Sequence, residues 1–467
     1  MKKSKLLHLS LTLLTLLTTS CGEDRSREYK ALIGKDQWIK EQMDNLYLWY
    51  YDMPAENKLN FFQQPEDFFK SLLSTKCQQG KGDHYSYMET TNNPTKAINR
   101  ESSYGFDFLL FQPSQTPKQA VARVLFVLKN SPAEKAGLKR GNWITKINDE
   151  LLTKSNYGYL YNGEPTTFTL AKADTTDNTA LWTDTATIHL EAARKLENNP
   201  FYTDSIYHID GKNIAYLMYN SFSTGPEDKA DDNTYNQQMR NIFSKFKAGN
   251  IDDFILDLRY NQGGYLSCSQ VLASLLAPAD QLGQPYCTLT FNDLNTRRDT
   301  TYTLRENLTG GNNLNLNKLY VIVSNLTASA SEAVINCLRP YMEVLLVGNK
   351  TEGKNVASLP IHSAEHPNLL LHPIVAIVNN AKGESDYFRG MKPDYEYNES
   401  EEATFADALQ PLGSTQEFLL KHTLELITNP PKEDETTNPQ TARRKHLQLK
   451  PIVHSMKQKK QAAIRLE

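Results

Sequence analysis

The spacing of hydrophobic positions changes three times along this chain, and each change predicts a different architecture. Between residues 38 and 73, apolar side chains recur at helical spacing: Trp38, Met43, Leu46, Leu48, Trp49, Tyr50 and Tyr51, then Phe61, Phe62, Phe68, Phe69, Leu72 and Leu73. Two or three amphipathic helices are expected there, packing their apolar stripe onto the next domain. From about 102 to 193 the pattern becomes short alternating runs with one brief helix, which predicts a β-rich unit. From about 198 to 429, apolar runs at 214–218, 254–258, 319–323, 344–347 and 374–378 alternate with helical segments at 231–248, 271–276, 331–341 and 416–427. That alternation predicts an α/β core, and runs without polar interruption predict a sheet covered on both faces. The expected fold is therefore multidomain α/β.

At 467 residues the chain is too long for a single core and should divide into two or three domains. Its formal net charge of −3, from 51 Lys+Arg against 54 Asp+Glu, gives no basic field, so nucleic acid is not an expected partner. No internal stretch is apolar and long enough to span a bilayer. The N-terminus, however, reads as a signal peptide over residues 1–20: Lys2, Lys3 and Lys5 precede a Leu-rich core that ends in Thr18-Thr19-Ser20-Cys21-Gly22. A cysteine directly after small residues resembles a bacterial lipoprotein cleavage site, which implies export, lipidation of Cys21 and membrane attachment on the periplasmic or cell-surface side of a bacterial envelope. Ordinary signal-peptidase cleavage, with Cys21 a bystander, is the alternative. Beyond residue 429 the chain turns polar and then basic, so 430–467 is expected to be a solvated tail that is able to touch an anionic membrane surface.

Candidate chemistry concentrates in three places of the α/β region. The run Asn325-Leu326-Thr327-Ala328-Ser329-Ala330-Ser331-Glu332 follows an apolar strand and opens a helix, with Glu332 three residues after Ser329 as in a capping box. A hydroxyl at a helix N-terminus lies beside unpaired backbone N–H groups that favour a developing oxyanion. Further on, Val347-Gly348-Asn349-Lys350-Thr351-Glu352-Gly353-Lys354 places a lysine after a strand and a glycine. A lysine serves as base to a serine only when desolvation keeps it neutral. Upstream, Asp257-Leu258-Arg259-Tyr260-Asn261-Gln262-Gly263-Gly264 ends a strand in a turn where backbone can approach a ligand, and Asp257 and Arg259 read as a structural pair.

These three motifs, in this order, resemble the C-terminal processing (tail-specific) peptidases, family S41, which use a Ser/Lys dyad. The resemblance implies a ClpP/crotonase-like peptidase core over 196–429, with Ser329 as nucleophile and Lys354 as general base. It further implies backbone N–H groups of Ala330 and Gly264 as the oxyanion hole, and Glu332 as a supporting residue or a plain helix cap. Asn355 and Ser358 stand where the family often has Gly and Gln, and Ser358 is able to accept a hydrogen bond from the lysine.

Residues 131–148, with Ser131-Pro132-Ala133, Ala136-Gly137-Leu138 and the Gly141 turn into Trp143, resemble the PDZ signature. This implies a PDZ-like domain over 101–195 that takes up extended peptide tails by strand addition, with Tyr104, Gly105 and Phe106 at the carboxylate. Asp107 would have to face solvent there. Residues 21–100 then comprise the lipidated cysteine, a linker and the helical region. The function implied is an exported serine endopeptidase acting on polypeptides with free C-termini, without cofactor. A non-catalytic lipoprotein that binds peptide tails, and an interaction lipoprotein using the aromatic helices, are the competing readings. The other cysteines, Cys77, Cys268, Cys287 and Cys337, and the ten histidines lack metal-site spacing, and the four cysteines allow three pairings.

Overall fold

Apolar runs become buried strands throughout the 198–429 region. The computed structural model describes residues 26–90, 102–114, 116–176, 179–197, 199–405 and 409–430, together with 447, 449–458 and 464–466. The expected signal peptide and Cys21 lie outside these residues.

Helix α1 (Ser26–Leu46) and helix α2 (Pro65–Leu72) come first, α2 opening with a proline whose fixed φ suits a first helical turn. Their buried side chains, Ile39, Met43, Phe68, Phe69 and Leu72, meet Met88, Val356, Leu369 and Ile374, so this unit rests on the α/β region. A second region follows with β1 (Phe106–Pro113), β2 (Val121–Val127), the one-turn helix α3 (Pro132–Lys135), β3 (Trp143–Ile147), β4 (Thr166–Thr176) and β5 (Thr179–Leu190). Ser131 caps α3 by accepting from Glu134 N at 3.1 Å.

The third region contains β6 (Phe201–Ile209), β7 (Lys212–Tyr219), α4 (Thr234–Ala248), β8 (Asp253–Asp257), α5 (Leu266–Leu276), β9 (Pro285–Phe291) and β10 (Thr300–Thr303). It continues through β11 (Lys318–Val323), α6 (Ala330–Leu338), β12 (Glu343–Gly348), β13 (Val356–Ser358), β14 (Ile374–Asn379), β15 (Tyr395–Glu396) and α7 (Phe418–Thr428). Its main sheet has the order β6-β7-β8-β11-β12-β15, parallel except for the β6–β7 hairpin. The period of two sorts each strand onto both faces. Ala215, Leu217 and Tyr219 of β7 join the core with α4, α5 and α6, while Ile214, Tyr216 and Met218 face α7 and the β1–β5 region. That two-sided burial is why the strands read as unbroken apolar runs.

The expected solvated tail is corrected by the structure in its described parts. β16 (Leu449–His454) adds to the edge of β1, giving the sheet order β16-β1-β2-β3-β4-β5. β17 (Ile464–Arg465) adds to β13 in a second sheet of order β10-β9-β14-β13-β17. Ile452 and Val453 pack on the β1–β4 core, and Ile464 and Leu466 are buried in the α/β core. The many lysines of this stretch obscured a few apolar residues that satisfy otherwise bare strand edges.

A buried ionic cluster joins the regions. Arg259 is fully buried and donates to Asp257 Oδ2 (2.8 Å), Glu399 Oε1 (2.8 Å) and Glu417 Oε1 (2.7 Å). Arg140, from the β2–β3 connection, reaches the same two glutamates at 2.7 and 3.0 Å, and Tyr216 and Tyr260 add hydroxyl donors. Burial alone would raise Glu399, but Arg140 and Arg259 outweigh it and hold its carboxyl at about 2. Asp257, by contrast, is pushed above the usual carboxylate range by burial. Substituting Arg259→Leu leaves three buried carboxylates short of a partner, so urea unfolding of the full chain should show a loss of roughly 3–5 kcal/mol. Arg140→Leu, which leaves Arg259 in place, should cost less.

Candidate active site

The three sequence motifs meet at the C-terminal ends of β8, β11 and β12, where open α/β sheets carry their sites. Ser329 sits between β11 and α6 with φ 64° and ψ −120°, a conformation that a side chain other than glycine's adopts at a cost. The turn is held from several sides. Thr327 Oγ1 donates to Leu258 O at 2.9 Å, Ala328 N to Asn261 O at 3.2 Å, and Ser331 Oγ to Asn261 O at 3.0 Å. The Asn261 side chain also accepts from Gly263 N at 2.9 Å, so one residue, through its carbonyl and its amide, couples the serine turn to the glycine loop.

Gly263, at φ +104°, shows how close that coupling is. A Cβ there would lie 2.6 Å from Ser329 Cβ and 2.8 Å from its Oγ. At Gly264 a Cβ would lie 2.2 Å from Phe222 O. Ser329 Oγ is buried and makes no hydrogen bond. Among the described residues no hydrogen bond is donated by Gly264 N or Ala330 N either. A candidate nucleophilic oxygen and two candidate oxyanion donors therefore have their bonding capacity unspent among the described residues.

Glu332 ties this turn to the lysine segment. Its Oε2 accepts from Ser329 N (3.0 Å) and Lys354 N (2.7 Å), and its Oε1 from Gly353 N (2.7 Å) and Thr351 Oγ1 (2.6 Å). Burial pushes its carboxyl up to about 7, against these four donors. Every contact is a donor facing an acceptor, so the arrangement fits the carboxylate, which accepts at both oxygens. Glu332 thus caps the helix and also fixes the backbone of Lys354.

Lys354 is fully buried, with Nζ 4.5 Å from the centre of the Tyr85 ring. Burial lowers its ammonium to about 7, although Glu352, Glu332 and Asp83 act in the opposite direction. Gly353, at φ +99°, allows the close approach, since a Cβ would meet Gly390 N at 2.4 Å. Ser358 is buried on β13 with Oγ unbonded, so in this conformation neither serine hydroxyl is bonded to the lysine. Asn355 turns away, donating to Ser385 O at 2.7 Å.

The residues expected at a peptide carboxylate do not join this site. Tyr104 is buried and donates to Asn162 Oδ1 at 2.8 Å. Gly105 N, expected to present its N–H, already donates to Ser103 Oγ at 3.0 Å, and a Cβ there would meet Ser131 Cβ at 2.3 Å. Phe106 starts β1, whose edge is taken by β16. Asp107, which would have to face solvent, is buried and accepts from Ser455 Oγ at 2.8 Å. Among the described residues Cys77, Cys268, Cys287 and Cys337 are buried and form no disulfide.

Comparison with known proteins follows this geometry. A solved structure from Bacteroides fragilis assigned to the S41 proteases is 35% identical and superposes with a TM-score of 0.75 over 85% of this chain and 98% of its own. The chain belongs to peptidase family S41. The model of Peptidase family S41 matches residues 213–397, which hold all three motifs, and the Peptidase S41 N-terminal domain matches residues 35–87. A CtpA-like serine protease of Staphylococcus haemolyticus is 25% identical over 59% of this chain and 49% of its own length. A carboxyl-terminal-processing protease of Picosynechococcus is 28% identical over 52% of this chain and 53% of its own. The match thus spans about half the length of these relatives.

Tyr85, whose ring lies beside Lys354 Nζ, carries no signal in the sequence, since it sits in a turn-rich connector far from all three motifs. Glu332 is legible in the sequence as a cap and, through the resemblance, as a supporting residue, but its four donors are not. Replacing Glu332 with Ala would strand three backbone N–H groups and a hydroxyl in a buried space, and each unmet group costs about 1–3 kcal/mol. The melting temperature of Glu332→Ala should therefore fall well below that of Glu332→Gln, which keeps one acceptor oxygen. Equal melting of the two variants would count against this account.

Proposed function

We propose that this S41 chain is an exported serine endopeptidase that cuts polypeptides by a Ser329/Lys354 acyl-enzyme mechanism. The observation that carries the reading is a fully buried lysine with its ammonium lowered to about 7, in the same buried site as a serine hydroxyl left unbonded beside two unbonded N–H groups. Neutral Lys354 takes the proton of Ser329, Oγ attacks the scissile carbonyl, and the N–H groups of Ala330 and Gly264 receive the oxyanion. The leaving amine takes the proton back from Lys354. Water, deprotonated by the same lysine, then attacks the acyl carbonyl, and Ser329 Oγ leaves with the proton returned from Lys354. Glu332 positions both partners through their backbones, and Ser358, buried with its hydroxyl unbonded, would orient the amine once the side chains close on substrate.

By likeness to the carboxyl-terminal-processing relative, the substrates are polypeptides presenting a free C-terminus, received by a PDZ-like region over 101–195. The β1 edge is already paired with β16, so tail capture by strand addition there requires β16 to leave. Lipidation at Cys21 would hold the enzyme on the outer side of a bacterial membrane.

Ser329→Ala and Lys354→Ala should each lower hydrolysis of labelled casein by more than about a thousandfold while the fold is kept. The reactive lysine is the free amine, so activity should fall as pH drops through about 7, the value to which burial lowers Lys354. Substantial hydrolysis by either variant, or a rate flat down to pH 5, would overturn the dyad. Membrane attachment is tested separately: Cys21→Ser expressed in a bacterial host should move from the membrane to the soluble fraction, and unchanged fractionation would remove the anchor.

A further inference from the structure

The segment 464–466 occupies the site as a bound peptide would. It is hydrogen-bonded on both edges: Arg465 N donates to Gly264 O at 3.0 Å, and Leu466 N donates to Ser358 O at 3.2 Å. Arg465 is in parallel register with Ser358 on one side and Tyr265 on the other. Gly264 and Ser358 both belong to the candidate active site, and Gly263 next to them touches Ser329. The segment therefore runs along the edge from which an acyl group would be presented.

The side chains are held as specifically as the backbone. The guanidinium of Arg465 stacks on the Tyr265 ring, its carbon 4.1 Å from the ring centre, and Nη1 donates to Asp228 Oδ2 at 2.5 Å. Tyr265 Oη in turn donates to Asp228 O at 3.0 Å, which fixes the wall of the pocket to its floor. Ile464 and Leu466, on either side, are buried in the α/β core. A carboxylate under an aromatic plane, between two strand edges, selects a planar cation on an extended chain. The fit is incomplete, however. Among the described residues Asp228 Oδ1 and Arg465 Nε are both buried without a partner, so the pair makes one bond where a carboxylate and a guanidinium are able to make two.

We propose that Asp228 and Tyr265, with the backbone edges of Gly264 and Ser358, form a subsite for an arginine of an extended polypeptide substrate, which Arg465 fills in cis. The chain's own segment is then a competitor that a substrate must displace. The proposal rests on the peptidase reading of Ser329, but the subsite itself is a binding property and is testable without turnover.

Two fluorescein-labelled peptides, identical except for Ile-Arg-Leu or Ile-Ala-Leu at the centre, are titrated against the full chain carrying Ser329→Ala and Arg465→Ala, with thermal melting as the check on folding. The arginine peptide should bind about tenfold more tightly, the scale of one charge-assisted hydrogen bond. Adding Asp228→Asn should remove that difference, and restoring Arg465 should weaken both peptides. Equal binding of the two peptides, or a difference that survives Asp228→Asn, would overturn the subsite. Should Arg465→Ala fail to fold, cut sites in denatured casein are mapped by mass spectrometry for the wild type and Asp228→Asn. An arginine enriched at one fixed distance from the cut, and lost in the variant, supports the proposal; no enrichment in the wild type overturns it. Arginine-selective binding by a chain whose wild type hydrolyses nothing would sink the peptidase reading and leave the subsite standing.

Discussion

The carboxylate of Glu332 is the constraint on which the candidate site depends. The serine turn and the lysine segment belong to different strand ends, β11 and β12, and nothing in a parallel ladder fixes where two loops stand relative to each other. One buried carboxylate does so here by accepting from the backbone of Ser329, Gly353 and Lys354 and from the hydroxyl of Thr351. Its burial costs free energy that only a complete set of donors offsets, so the loops are confined to one arrangement. The strained φ of Ser329 persists for the same reason: the residue is bonded through its own N–H and packed against Gly263.

The Arg259 cluster works on a larger scale with the same logic. Asp257 and Arg259 lie at the end of β8, two residues before the Asn261 that braces the serine turn, while Glu399, Glu417 and Arg140 come from three distant segments. Two guanidinium groups among three carboxylates leave little tolerance in geometry, because a displaced partner strands a buried charge. The β1–β5 region is thereby referenced, through Arg140, to the strand that supports the glycine loop. A change in the position of that region is felt at Arg259 before it is felt at Ser329.

How much of this was legible in the sequence follows from distance along the chain. The serine, lysine and glycine motifs each follow an apolar run, so local pattern located the strand ends and hence the site. The glutamate partners of Arg259 lie 140 and 158 residues away, and no periodicity encodes them. Tyr85 under Lys354 is of the same kind. The region after 430 misled in another way. Its composition is set by exposed lysines and arginines, whereas its structure is set by Ile452, Val453, Ile464 and Leu466, too few to dominate any window. At Gly105 the positive φ was foreseeable from the residue type, but not that its N–H is consumed by Ser103.

One late stretch of chain thus closes two sheet edges in two different regions, β1 through β16 and β13 through β17. Strand addition in cis is governed by effective concentration, on the order of millimolar for a tethered segment. A free polypeptide at micromolar concentration displaces such a strand only if its own contacts are better. The single bond between Arg465 and Asp228, with Oδ1 and Nε left over, sets the margin available to it. A chain able to place its guanidinium squarely on Asp228 would gain a second charge-assisted bond, whereas one without a basic residue would lose the first and have to expel the cis strand as well. Selectivity would then arise from the competition as much as from the pocket, because the resident arginine raises the threshold for every incoming sequence equally and only the bidentate partner recovers it.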